Sequence, residues 1–267
     1  MSTTFRPRVW TSMGAALVLG AGALAGCSGE AGDKAAETAP GAANTAAVGE
    51  GGEGEGEGGA AVASAAGESG EAGASDAYAA IPAASRTALR LAQVKGFFLV
   101  AQAAAPAEGQ EAAAALIGQG LLEAYDPAAA ELKAAGVDEA ALRAAAQSGD
   151  PAAIKKAIAT LDAASKKAGG DQAAVARGMT TIASGLYQHA IVDGAVDPVE
   201  YQHAYGAALA AKAVVDADPK LASARDEIAG LVKLWPSATA PEDAAKAPAT
   251  GKVLAQASRV ELALSGA

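Results

Sequence analysis

From about residue 83 onward, apolar positions recur at three- and four-residue intervals, the spacing that gathers side chains on one face of an α-helix. Leu91, Val94, Phe98 and Ala101 predict a first helix over residues 83–104, and Ala113, Leu116, Ile117 and Leu121 a second over 108–124. Short helices over 127–135 and 139–147 come next, then a longer one over 151–167 carrying Ile154, Ile158 and Leu161. Val175, Met179, Ile182 and Leu186 mark a helix that runs to about residue 191. Tyr201, Tyr205, Ala208 and Leu209 mark another after the Asp193-Gly194 turn. Ile228, Leu231 and Trp235 mark one that Pro236 stops, and a proline-rich connection to Pro248 leads to a last helix over 252–264. No stretch alternates long enough to predict a strand.

The punctuation agrees with this pattern. Asp126-Pro127, Asp150-Pro151, Asp197-Pro198 and Asp218-Pro219 each precede a helix-forming segment, matching aspartate at the N-cap and proline at the first helical position. Asp138 and Asp171 are placed to cap two more, and Glu200, three residues after Asp197, gives a capping-box spacing. The expected fold is all-α, an antiparallel helical bundle over residues 76–267 with short capped turns between sequential neighbours. Abundant alanine permits close helix approach but supplies little volume, so stability should rest on the few large side chains.

The first thirty residues follow a different pattern. Arg6 and Arg8 precede an apolar, uncharged run from Met13 to Ala25 that ends in Leu24-Ala25-Gly26-Cys27. That is the order of an export signal, and the run falls short of the roughly 20 residues a membrane-spanning helix needs. Leu24-Ala25-Gly26-Cys27 resembles the lipobox of bacterial lipoproteins. The resemblance implies cleavage after Gly26, diacylglycerol on the Cys27 thiol and acylation of the new amine, making residues 1–26 a discarded signal. Several acyl chains, at about 0.8 kcal/mol per buried methylene, hold a protein firmly on a membrane. Ser28 stands where, by family analogy, an aspartate would favour inner-membrane retention. The expected location is thus the cell envelope, lipid-anchored, on the outer membrane facing the periplasm if the cell is Gram-negative.

Charge separates the rest of the chain into two parts. The formal charge of −10 becomes −12 once Arg6 and Arg8 leave with the signal, and residues 28–75 hold nine acids against Lys34 alone. With no leucine, isoleucine, methionine or aromatic residue, this segment cannot offset the ordering cost of about 1–2 kcal/mol per residue. Residues 27–75 are therefore expected to be a lipidated N-terminus and a disordered Gly/Ala/Glu tether, with a reach of roughly 35–40 Å. Its glutamates (Glu50, Glu53, Glu55 and Glu57) read as a solvated spacer rather than a calcium site, since nothing fixes their geometry. The acidic balance excludes an electrostatic nucleic-acid binder. A single cysteine excludes an intramolecular disulfide and a CxxC zinc site.

Chemistry in the helical part is sparse. His189 and His203 are the only histidines, near the facing ends of two helices joined through Asp193-Gly194 and Asp197-Pro198. A hairpin there would bring His189, Glu200 and His203 into one region, a nitrogen/oxygen set suited to zinc, copper or iron. The alternative is two partly exposed surface histidines. No Gly-x-Ser-x-Gly or Walker loop is present, and Ser165 and Ser184 have no evident base partner. Asp226-Glu227 reads as a solvated helix face before an acid/base pair. Gly96-Phe97-Phe98-Leu99-Val100 and the tyrosines Tyr187, Tyr201 and Tyr205 read as packing residues.

Asp193-Gly194-Ala195-Val196 followed by Glu200-Tyr201-Gln202-His203-Ala204-Tyr205-Gly206 resembles a segment of exported helical bacterial domains, some fused to iron permeases and similar to imelysin-like iron-uptake proteins. Gly96 and residues 123–136 match an earlier part of the pattern, so the likeness covers about half the helical part. Where that family would carry histidines after Gly96 and before Glu123, this chain has Phe97 and Gln119. The resemblance implies an envelope protein connected with metal handling. Two functions follow as expectations. One is a non-enzymatic lipoprotein presenting a helical interaction domain to an envelope partner, with covalent lipid as its only added group. The other is a metal-handling accessory protein of the envelope, binding a divalent metal.

Overall fold

The computed structural model describes residues 73–266. Leu24, Ala25, Gly26, Cys27 and the tether through residue 72 lie outside the described residues. The fold is all-α: α1 (Ala74–Ala80), α2 (Arg86–Glu108), α3 (Gln110–Gly120), α4 (Ala129–Ala134), α5 (Glu139–Ser148), α6 (Pro151–Ala168), α7 (Gln172–Tyr187), α8 (Pro198–Ala217), α9 (Arg225–Val232) and α10 (Thr250–Ser265). The first of these begins two residues before the expected domain start at Asp76. It had no apolar stripe to announce it, since only Ala77 in it is buried.

Two apolar clusters share α2 as a common wall. Leu89 and Ala92 face Met179 and Ile182 of α7, Tyr201 and Ala208 of α8, Ile228 of α9 and Val260 of α10. Leu91, Val94 and Phe98 face Ile117, Leu132, Leu142, Ile154 and Leu161 on the helices from α3 to α6. A helix that serves two cores must be apolar around most of its circumference, and the middle of α2 is buried on successive residues from Phe97 to Ala101 save Leu99. Tyr125, Tyr187, Tyr201 and Phe98 are the largest side chains wholly enclosed, so the volume does rest on few residues.

The α2/α8 contact depends on two glycines. A Cβ on Gly96 would lie 2.9 Å from the Gly206 carbonyl oxygen, and one on Gly206 would lie 2.7 Å from that of Gly96. The two backbones therefore touch, which draws Phe97 on α2 towards the first half of α8.

Most predicted caps form: the carboxylates of Asp138, Asp150, Asp171, Asp197 and Asp218 each accept from amides at the start of the helix that follows. Asp126 does not cap. Its carboxylate is taken by Arg143, which also reaches Glu139 at 3.2 Å, and a guanidinium fork outcompetes a neutral amide for a carboxylate. The first long helix also runs past Ala104, through Pro106, to Gly109, whose φ of 89° ends it. In place of a continuous second helix, Gly120 leads into a turn of π-helix, Leu121–Tyr125, and a 3-10 turn, Asp126–Ala128.

One strand pair corrects the expectation of none. Ile191–Val192 (β1) and Ala195–Val196 (β2) pair antiparallel, Ile191 opposite Val196 and Val192 opposite Ala195. Asp193 and Gly194 both take positive φ, 51° and 80°, as a two-residue type I′ connection requires. Strands of two residues are too short to leave an alternation in the sequence. The segment between α9 and α10 is tied to the bundle by two phenols: Tyr201 Oη donates to the Ser237 carbonyl at 3.0 Å and Tyr187 Oη to that of Pro248 at 2.7 Å.

Candidate functional site

The opening turns of α8 hold the most unusual chemistry among the described residues. Asp197 Oδ1 accepts from the amides of Val199 at 2.8 Å and Glu200 at 3.2 Å, fixing where the helix begins. In a capping box the Glu200 side chain would return to the Asp197 amide. That amide instead donates to the Ala190 carbonyl at 2.9 Å, closing the β1–β2 hairpin. The reciprocal half of the box is thereby lost. Glu200 is 4% exposed, and its Oε2 is buried without a hydrogen-bond partner.

His203 lies one turn further along, 6% exposed, with Nε2 also buried and unpartnered. Phe97 meets its ring edge-on, centroids 4.8 Å apart at 72°. The phenyl group sits against Gly120, where no Cβ would fit. The π-helical turn after Gly120 carries Glu123, whose Oε2 stands 3.9 Å from His203 Nδ1 while Oε1 accepts from Gln119 Nε2 at 3.0 Å. Beside them Gln202 donates to the Glu108 carboxylate at 3.1 Å and to the Ala238 carbonyl at 3.2 Å.

Burial dominates the electrostatics. It pushes the Glu200 carboxyl up to about 7, and the negative charges of Asp197 and Glu123 push the same way. Burial also holds the His203 imidazole below its ordinary value, outweighing the pull of Glu123 and Asp197 towards the charged form. The imidazole is thus neutral at pH 7 and keeps a lone pair. A neutral imidazole beside carboxylates accepts protons or cations.

His189 is elsewhere. It lies exposed just past the end of α7, its amide donating to the Leu186 carbonyl at 3.0 Å. There it lines an open cavity of about 300 Å³ with Gly73, Asp76, Thr181, Ser184, Gly185 and Gln188. Ser184 Oγ donates to the Thr181 carbonyl at 3.0 Å, an intrahelical bond. Of the three residues expected together, Glu200 and His203 are adjacent on α8, while the carboxylate facing the imidazole is Glu123. Among the described residues, no group of three His, Cys, Asp or Glu side chains stands ready to enclose a metal ion.

The other candidates resolve into packing. Phe97, Phe98 and Val100 are buried, and Tyr205 stacks on Trp235 with centroids 5.5 Å apart. Glu227 accepts from Gln256 Nε2 at 2.8 Å, tying α9 to α10. Sequence spacing had no means of finding Glu123, which is 80 positions from His203 and is aimed by a π-turn that leaves no sequence signature. Phe97, Gln119, Glu123 and His203 lie together in space, with Glu200 one turn before His203 on α8. No family model, curated protein or solved structure matches the chain.

Proposed function

We propose that the protein is a lipid-anchored envelope protein, without enzymatic activity, whose helical domain binds a ligand or partner at the head of α8. The succession of Arg6 and Arg8, the apolar run from Met13 to Ala25 and Leu24-Ala25-Gly26-Cys27 in the sequence supports the anchor. In this reading the acidic tether holds the domain clear of the headgroups, and attachment is through lipid alone. Among the described residues no helix is long and apolar enough to cross a membrane.

The observation that carries the binding role is the pair of buried, unpartnered atoms, Glu200 Oε2 and His203 Nε2. Leaving a buried polar group without a partner costs about 1–3 kcal/mol, a cost that a bound group would relieve. Fractionation of cells producing the full chain tests the anchor. The parent is expected in the membrane fraction and Cys27→Ala in the soluble one; equal distribution of the two would contradict it.

A second reading, a metal-handling accessory protein, is favoured by one specific contact: Glu123 facing the neutral imidazole of His203.

A further inference from the structure

We infer that the exposed face of α6 is a docking surface for an anionic phospholipid membrane, an inference that rests on the lipid-anchored reading for what brings the domain there. Helix α6 carries Lys155, Lys156, Lys166 and Lys167, all exposed, against a single acid, Asp162. At about 100° per residue, the four lysines and the exposed Ala152, Ala159 and Ala163 share an arc of roughly 120°. That arc lies opposite the buried Ile154, Ala157, Leu161 and Ala164. The two lysine pairs are set about three turns apart, roughly 16 Å along the axis.

A solvated helix face ordinarily mixes both signs of charge. This one does not. Arg90, Lys133, Arg143 and Lys212 are each matched by a carboxylate, and Asp162, at the edge of the arc, is taken by Lys95 of α2. Among the described residues, none of the four α6 lysines has an acid within ion-pair distance. Acids outnumber bases over the domain as a whole, but charges further off than about 8 Å are largely screened at physiological ionic strength. The α6 face is therefore the one drawn to a negative surface. Alanines between the lysine pairs form no cleft and supply no polar or aromatic group to read a peptide. Such a face recognises density of negative charge, which headgroups of anionic lipids supply. The reach of roughly 35–40 Å expected of the tether is ample for a domain with a radius of gyration of about 16 Å, so the anchor lets α6 turn to the membrane. With no large apolar side chain in the arc to insert, the attachment is electrostatic and salt-sensitive.

The test uses the whole mature chain from position 27, produced without the signal and with Cys27→Ala so that no acyl chain contributes. It is sedimented with vesicles of phosphatidylglycerol and phosphatidylcholine in equal parts, and with phosphatidylcholine vesicles. Binding to the anionic vesicles alone is expected, falling as salt is raised. Each lysine near an anionic surface raises partitioning roughly fivefold, so replacing Lys155, Lys156, Lys166 and Lys167 together by glutamine should weaken binding at least about tenfold. Replacing the same four by arginine should preserve it. Lys233→Gln with Lys252→Gln, two exposed lysines on other segments, should bind as the parent does. Melting temperatures should not change, since every substituted side chain is exposed. Failure of the parent to bind anionic vesicles, equal binding to both kinds, or undiminished binding of the glutamine variant overturns the inference. So does an equal loss in the Lys233/Lys252 variant. None of these outcomes touches the lipid anchor, which is judged separately by fractionation of the acylated protein.

Discussion

The amide of Asp197 donates to the carbonyl of Ala190 and not to the side chain of Glu200. A two-strand hairpin thus replaces half of a capping box, and a glutamate that should have been spent on helix initiation is left buried and unsatisfied. The cluster at the head of α8 follows from that substitution of one hydrogen bond for another.

Glu200 makes stability depend on pH in a definite direction. Its carboxyl titrates near 7 when folded, against 4.5 as its ordinary value. The folded state therefore holds the proton more tightly, and the contribution of this group to stability is fully present below pH 4.5 and is lost as pH rises through 7. At about 1.4 kcal/mol per unit, the loss attributable to this group has a ceiling of roughly 3 kcal/mol. Glu200→Gln should abolish that loss. Urea melts at pH 5 and pH 8 should show the variant gaining on the parent at the higher pH; an equal difference at both pH values would be inconsistent with a buried, unpaired carboxyl.

The backbone contact of Gly96 with Gly206 leaves no room for a methyl group. Gly96→Ala should separate α2 from α8 and destabilise by about 1–3 kcal/mol. Gly118→Ala, on the open side of α3, should stabilise by about 0.5–1 kcal/mol because alanine loses less backbone entropy in a helix. Thermal melts of both variants give opposite signs if the crossing is as close as described.

Asp150 and Asp126 both precede proline, yet only Asp150 caps, accepting from Ala152 at 2.8 Å and Ala153 at 3.0 Å. Asp150→Ala should cost about 1 kcal/mol. Asp126→Ala loses only an exposed pair with Arg143, about 0–1 kcal/mol and screened by salt. Denaturation at low and high salt distinguishes them, since only the Asp126 effect should shrink.

Tyr187→Phe removes the hydrogen bond to the Pro248 carbonyl. A loss of about 1 kcal/mol is expected, together with faster hydrogen exchange confined to the segment between α9 and α10. Uniform exchange across the molecule would mean that the phenol does not anchor that segment.

Much of the helical architecture was legible because its signals are local. Val94 and Phe98 share a stripe, Asp171 precedes a periodic run, and Asp193-Gly194 has the chemistry of a tight turn. The parts that were not legible depend on distant groups. Asp126 reads as a cap until Arg143 arrives from another helix, and α1 has too few buried side chains to produce a period. For the candidate site, Glu200 and His203 were recognised by residue type, whereas their grouping with His189 assumed that a hairpin brings both of its ends together. In the structure α7 ends at Tyr187, and His189 emerges towards solvent before the chain turns. Glu123 needed the Gly96–Gly206 crossing and the π-turn to reach the imidazole.

The most direct measurement is the intact mass of the N-terminal peptide of the protein purified from bacterial membranes. The proposal of a lipid-anchored envelope protein requires a chain that begins at Cys27 and carries diacylglycerol on its thiol. A chain that retains Met1, or begins elsewhere with Cys27 unmodified, would contradict it.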